Sequence, residues 1–193
     1  WIPDFGPSIF NTKSGVTAIG VRDFLIAFNV NLNTSNKKIA SDIALDIREQ
    51  GRAKRDSDNK ILRDSKGAII KIPGTLKNVK AVGWYIDEYK QAQVSMNLIN
   101  YKKTSMHEAF DEVVRQASKR GLRVTGSEIV GLLPKEAILD SGKYFLKKQN
   151  SSIGIPDKDI ILSAIQSLGL NDLSVFDSKK SIIEEALNIN EKT

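Results

Sequence analysis

Residues Gly20 to Gln50 read GVRDFLIAFNVNLNTSNKKIASDIALDIREQ, a strand followed at once by a helix. Phe24, Ile26, Phe28, Val30 and Leu32 alternate with Leu25, Ala27, Asn29 and Asn31, the period of two that marks a strand with one buried face. The second face carries amides, although Asn is depleted in strands and a water-facing strand ordinarily uses Lys, Glu or Thr. Two Asn at i and i+2 suggest a surface that meets hydrogen-bonding groups other than free water. Asn33 to Asn36 then supply turn and cap residues, Ile39, Ala40, Ile43, Ala44 and Ile47 make a helical stripe, and Gly51 is a natural terminator.

Two apolar runs follow further on, Val79 to Tyr89 and Ala92 to Ile99, split by Lys90-Gln91 and read as an antiparallel pair. Ser105-Met106-His107-Glu108 fits a capping box, and Met106, Phe110, Val113, Val114 and Ala117 give a second helical stripe that ends at Gly121. Leu122 to Leu133 reads as a fourth strand interrupted by Gly126 and Gly131. The order strand, helix, strand, strand, helix, strand predicts an α+β fold of the ferredoxin-like β-α-β-β-α-β type, its antiparallel sheet covered by helices on one face. Three C-terminal helices are expected after it: one with Pro134 at its first helical position, one from Asp157 to Leu168, and one from Ser178 to Leu187.

With 193 residues and 40% hydrophobic content, the chain can bury one good core. No stretch approaches the roughly 18 consecutive apolar residues of a membrane span, and no charged-then-apolar leader is present, so a membrane partner is not expected. There is no cysteine, which removes disulfides, thiolate nucleophiles and the usual zinc sites, and a cytoplasmic location is the simplest expectation. The single histidine, His107, rules out a His-pair metal site within this chain. Trp1 opens the sequence without a methionine, ahead of the rigid Pro3 to Pro7, and reads as part of something longer. Of the +6 net charge, residues 52–77 hold five, and Asp64-Ser65-Lys66-Gly67 there makes a turn between short apolar stretches. That segment reads as an exposed basic hairpin, a solvated excursion or a contact for phosphate or an acidic partner.

The amide pattern recurs. Val94, Met96 and Leu98 alternate with Gln93, Ser95 and Asn97, and Arg123, Thr125 and Ser127 alternate on the fourth strand. One sheet face is thus apolar and the other collects amides and hydroxyls with almost no charge. Such a face suits a polar planar ligand or a second polar surface, and it is also compatible with an ordinary wetted sheet. RNA-reading sheets of this topology display stacking aromatics there, whereas this face reads as Asn, Gln, Ser and Thr, so nucleic acid is not expected. His107 reads as a structural first-turn residue rather than a general base, Glu128 as a structural carboxylate among glycines and apolar residues, and Asp46 as a surface carboxylate at the edge of its stripe. No nucleotide-binding glycine loop, serine elbow or metal-ligand cluster is present.

PDFGP (3–7), GVRDFLIAFNVNL (20–32), IALDIREQGR (43–52), LKNVKAVGWYIDE (76–88), AQVSMNLIN (92–100), GSEIVGLLPKEAILDSGKYF (126–145), LGL (168–170) and IIEEAL (182–187) together resemble the C-terminal half of the formiminotransferase unit of glutamate formimidoyltransferases and formimidoyltransferase-cyclodeaminases. The resemblance implies a transferase of histidine degradation that passes the formimino group of N-formimino-L-glutamate to N5 of tetrahydrofolate, a co-substrate. It implies a linker at 1–19 carrying a folate loop, and a C-terminal subdomain at 20–193 with a basic hairpin insert at 52–77. The sheets of two such subdomains stack face to face around a substrate tunnel, and the complete enzyme is expected to be a homo-oligomer. The family's folate loop, Gly-Pro-x-x-Phe-x-x-x-x-Gly, falls on Gly6, Pro7, Ser8, Ile9, Phe10, Asn11, Thr12, Lys13, Ser14 and Gly15, with the differences from relatives concentrated at residues 11–14. A further folate contact falls on Asp46, where animal relatives carry Asn, so two donors are lost there. The family's catalytic histidine belongs to the first subdomain, which leads to the expectation that this chain alone is inactive. The alternative is a non-catalytic ferredoxin-like module that binds a ligand or only another protein.

Overall fold

Strand β1, Ile26–Leu32, lies at the centre of the sheet in the computed structural model, which describes residues 2–187. It begins two residues later than the alternation suggests, because its partners end there: Ile26 sits opposite Leu98, and Ala27 opposite Val130. Phe24 has no strand to pack against and is 64% exposed. Helix α1, Lys37–Ile47, opens on Asn36, whose Oδ1 accepts from the Lys38 N–H at 3.0 Å. Its stripe of Ala40, Ile43, Ala44 and Ile47 is buried. Gly51 then turns the chain with φ +63°, and a Cβ there would lie 1.8 Å from the Ile72 carbonyl oxygen.

Strands β2, Arg52–Ala53, and β3, Lys71–Ile72, pair antiparallel at the root of the basic segment. Beyond them residues 54–70 form two small hairpins in series, one closed by Asp56 N–H to the Lys60 carbonyl and one by Asp64 N–H to the Ala68 carbonyl. The second is the expected turn; the first lies in Asp56 to Asn59, a Ser- and Asp-rich tetrapeptide that also has turn chemistry.

Strands β4, Val79–Ile86, and β5, Gln91–Leu98, form the antiparallel pair. Helix α2, Met106–Ser118, carries the complete capping box, with Ser105 Oγ accepting from Glu108 N–H and Glu108 accepting from Ser105 N–H. Strand β6, Val124–Val130, is shorter than the apolar run that predicted it. The four-stranded order is β4-β5-β1-β6 with every pair antiparallel, which is the split β-α-β arrangement. Phe28, Val30, Val94 and Met96 on one sheet face pack with Ile43, Ile47, Met106 and Val113 of the two helices in a single core. Gly83 lets α1 approach β4, since a Cβ there would lie 2.0 Å from the Ser41 nitrogen.

Helix α3, Lys135–Lys148, and α4, Asp157–Leu168, pack on each other, with Gly142 against the Ile160 carbonyl. Pro134 precedes α3 as its cap in extended conformation, one residue before the expected position. The third expected tail helix is broken into α5, Ser178–Ser181, and α6, Ile183–Ala186. The break is Ile182, a fully buried extended residue that bridges to Leu133: Leu133 N–H donates to the Ser181 carbonyl and Ile183 N–H to the Leu133 carbonyl. Among the described residues no helix is long and apolar enough to cross a membrane.

Candidate functional site

The sheet face turned away from α1 and α2 is set by register. Asn29 lies between Ser95 and Glu128, Asn31 between Gln93 and Gly126, and Trp84 lies opposite Gln93. Three corrections to the sequence reading follow. A register shift pairs Leu32 with Val124 and Asn31 with Gly126, leaving Thr125 as an extra bulged residue. The alternation of Arg123, Thr125 and Ser127 therefore fails: Ser127 lies opposite Val30 on the helix side, fully buried, and its hydroxyl donates to the Leu168 carbonyl at 2.7 Å. The face is also not short of charge, because Glu128 shares it and Asp172 reaches it from beyond α4. Nor is it free of aromatics, since Trp84 stands on it.

One hydrogen-bonded relay crosses all four strands. Trp84 Nε1–H donates to Gln93 Oε1 at 2.8 Å, and Gln93 Nε2 donates to Asn31 Oδ1 at 2.7 Å and to Glu128 Oε1 at 3.0 Å. Asn29 Nδ2 donates to the same Glu128 oxygen at 3.0 Å. Asn31 Nδ2 donates to Asp172 Oδ2 at 2.9 Å, where the Thr125 hydroxyl also donates at 3.0 Å. Asn29, Asn31 and Gln93 are all buried, and burying amides is tolerable because donors and acceptors here are matched. Among the described residues neither Glu128 nor Asp172 has a Lys or Arg partner: side-chain amides hold Glu128, and an amide with the Thr125 hydroxyl holds Asp172. Beside this floor the surface opens: Asn97 and Val82 are exposed, Ser95 is half-buried and Trp84 is 39% exposed.

The residues expected to contact folate are not brought together. Residues 6–15 lie in an exposed segment ahead of β1, and their hydrogen bonds among the described residues are internal: Asn11 Oδ1 accepts from Lys13 and Ser14 N–H, and Gly15 N–H donates to the Asn11 carbonyl. Gly6 and Gly15 take φ +87° and +67°, which glycine adopts without penalty. Asp46 sits on the helix side, where Oδ1 pairs with Arg52 Nη2 at 2.7 Å and Oδ2 with Arg120 Nη2. His107 stacks on Tyr144 at 4.3 Å, with Nε2 2.9 Å from Ser105 Oγ, and burial pushes its imidazole below the ordinary value. A structural first-turn role fits that setting. A cleft of about 370 Å³ opens at the β6 edge between α2 and the end of α4, lined by Phe110, Val114, Arg123 and Gln166. Among the described residues no group of His, Cys, Asp and Glu could hold a metal ion.

The sequence pattern of the formiminotransferase domain matches residues 27–188, from β1 to the end of the tail. The chain belongs to that family. It is 42% identical over 184 residues to formimidoyltransferase-cyclodeaminase of Sus scrofa, and 45% identical over 184 residues to that of Dictyostelium discoideum; each match covers 95% of this chain and 31% of the relative. It is 40% identical over 147 residues to glutamate formimidoyltransferase of Thermoplasma acidophilum, covering 76% of this chain and 41% of that protein. The chain thus spans about a third of the length of the cyclodeaminase relatives. The family match begins inside β1, so residues 6–15 lie outside it, whereas the four-strand relay lies within it.

Proposed function

We propose that this chain forms one wall of a glutamate formimidoyltransferase, working with a preceding subdomain of the same unit. The substrates are N-formimino-L-glutamate and tetrahydrofolate, and the setting is cytoplasmic histidine degradation by a homo-oligomer. The observation that carries the reading is the buried amide relay: a wetted sheet face has no reason to bury Asn31 and Gln93 and anchor two carboxylates with them. In the reaction N5 of the bound folate attacks the formimino carbon, the bond from that carbon to the glutamate nitrogen breaks, and a proton passes from N5 to the departing amine. The amide floor contributes orientation, which turns an encounter of two small molecules into reaction within one complex. No residue of this chain is assigned as the base. The chain alone is expected to show no turnover, and turnover by it would overturn that assignment.

Folate contact through Gly6, Pro7, Ser8, Ile9, Phe10, Asn11, Thr12, Lys13, Ser14 and Gly15 remains part of the proposal. Asn11 Oδ1 is taken up by the Lys13 and Ser14 N–H groups, so the remaining backbone groups and the exposed Ser8, Thr12, Lys13 and Ser14 side chains are left to meet a ligand. Asp46 would join them as an acceptor only, through lone pairs that its two arginines leave open. Asn97→Leu is the clean test, because Asn97 faces outward on β5 with its side chain exposed. In the protein that carries this chain with its preceding segment, kcat/KM for formimino transfer should fall about threefold to tenfold, the worth of one hydrogen bond, with no change in Tm. Unchanged kinetics would return the face to ordinary surface.

A further inference from the structure

Trp84 is the aromatic residue that the four strands place on the polar face, where the reading of β1, β5 and β6 alone had no aromatic. Three features separate it from a scattered surface aromatic. Trp84 is 39% exposed although it lies opposite the fully buried Gln93, so part of its surface is open to a ligand while its Nε1–H is held at the sheet. Its Nε1–H is held at 2.8 Å by Gln93, whose amide is itself fixed by Asn31 and Glu128, so the ring's tilt is tied to a buried relay. Across from Trp84 on that face stand the Gln91, Gln93 and Asn97 amides and the Ser95 hydroxyl, with Val82 and Ile86 alongside it on β4 and Lys80 beyond Val82. A rigid flat apolar surface next to hydrogen-bonding groups suits a planar heterocycle with polar edges: the π-face meets the indole and the edge meets the amides. A protein partner packing an apolar patch would instead strand the exposed Asn97 amide and the half-buried Ser95 hydroxyl against nonpolar surface.

We propose that Trp84 is a binding residue for the planar heterocyclic ring of the reduced folate, stacking on it from the β4 edge of the face. The inference rests on the formimidoyltransferase reading above. It separates the two substrates, because N-formimino-L-glutamate has no ring to stack.

The test uses the protein that carries this chain with its preceding segment. Trp84→Leu should raise KM for tetrahydrofolate tenfold or more and leave KM for N-formimino-L-glutamate within twofold, while Trp84→Phe, which keeps an aromatic face, should recover most of the loss. If both KM values move together, or neither moves, Trp84 is a contact between subdomains or plain surface and the inference is overturned. Should Trp84→Leu not fold, intrinsic fluorescence decides: saturating tetrahydrofolate should quench wild type more than Trp84→Phe, and equal quenching would overturn the proposal. Absence of any transfer and any folate binding in wild type would instead overturn the functional reading itself.

Discussion

Gln93 shows how closely a buried amide and its neighbours depend on each other. It accepts from Trp84, donates to Asn31 and Glu128, and has no access to water. Gln93→Leu fits the volume but leaves partners on three strands short, at about 1–3 kcal/mol for each group left without a bond. Urea unfolding should show a loss of at least about 2 kcal/mol, in contrast to a change within about 0.5 kcal/mol for outward-facing Asn97→Leu. His107 supplies a pH dependence of known sign. Burial lowers its imidazole against the pull of Glu108, Asp140 and Asp111. The folded state therefore favours the neutral ring, and below about 6.5 the unfolded chain binds the extra proton more readily. Its contribution to stability is present above that pH and is lost as pH falls toward the folded value. His107→Gln should flatten the slope of the unfolding midpoint between pH 7.5 and 5.5; an unchanged slope would mean the ring does not titrate in that window.

At the scale of elements, the local signals in the sequence and the contacts in the structure agree wherever both are periodic. Helices α1 and α2 announce themselves by stripe and cap: Asn36 and Ser105 bond the N–H groups their positions predict. Ser105→Ala should cost about 1 kcal/mol in a thermal or urea melt, because it removes one side of a reciprocal box. Gly83→Val is a harsher test of the same layer, since its side chain would enter the backbone of α1 at Ser41, and failure to obtain soluble folded protein is the expected outcome. What the sequence did not reveal was non-periodic. The bulge at Thr125 moves Ser127 to the other face without altering the apolar count, and the break at Ile182 depends on a bridge to Leu133, far away in the chain. Asp172 likewise joins the polar face only through the way α4 ends against β6, where Ser127 N–H meets the Gly169 carbonyl. Trp84 was within reach, because extending the alternation of Ala81 and Gly83 against Val82 and Trp84 from β5 across to β4 puts the indole beside Gln93.

In the molecule as a whole, the basic arm is the part most separable from the core. Its joints are the two-residue strands β2 and β3, and Lys54, Leu62 and Ile70 bond mainly to one another: Lys54 N–H to Ile70, Leu62 N–H to Lys54, Ile70 N–H to Leu62. Ile61, Ile69 and Ile70 stay exposed, so little apolar surface is lost from water by folding the arm onto anything else. Arg52, which pairs with Asp46 and bonds the Asp42 carbonyl, lies in the joint itself and would be retained. Replacing residues 54–70 with Asn-Gly between Ala53 and Lys71 supplies the two-residue turn that an antiparallel pair in this register accepts. Shortening the loop also lowers its closure entropy cost, by well under about 1 kcal/mol per halving of length. The variant should therefore keep its far-ultraviolet dichroism and melt within about 3 °C of the parent, since the arm contributes little burial. If the formimidoyltransferase reading holds, its transfer kinetics at physiological salt should also be unchanged, because no arm residue joins the polar relay. A fall of more than about 8 °C, about 2–4 kcal/mol for a chain of this size, would show that the arm is part of the fold rather than an extension of it.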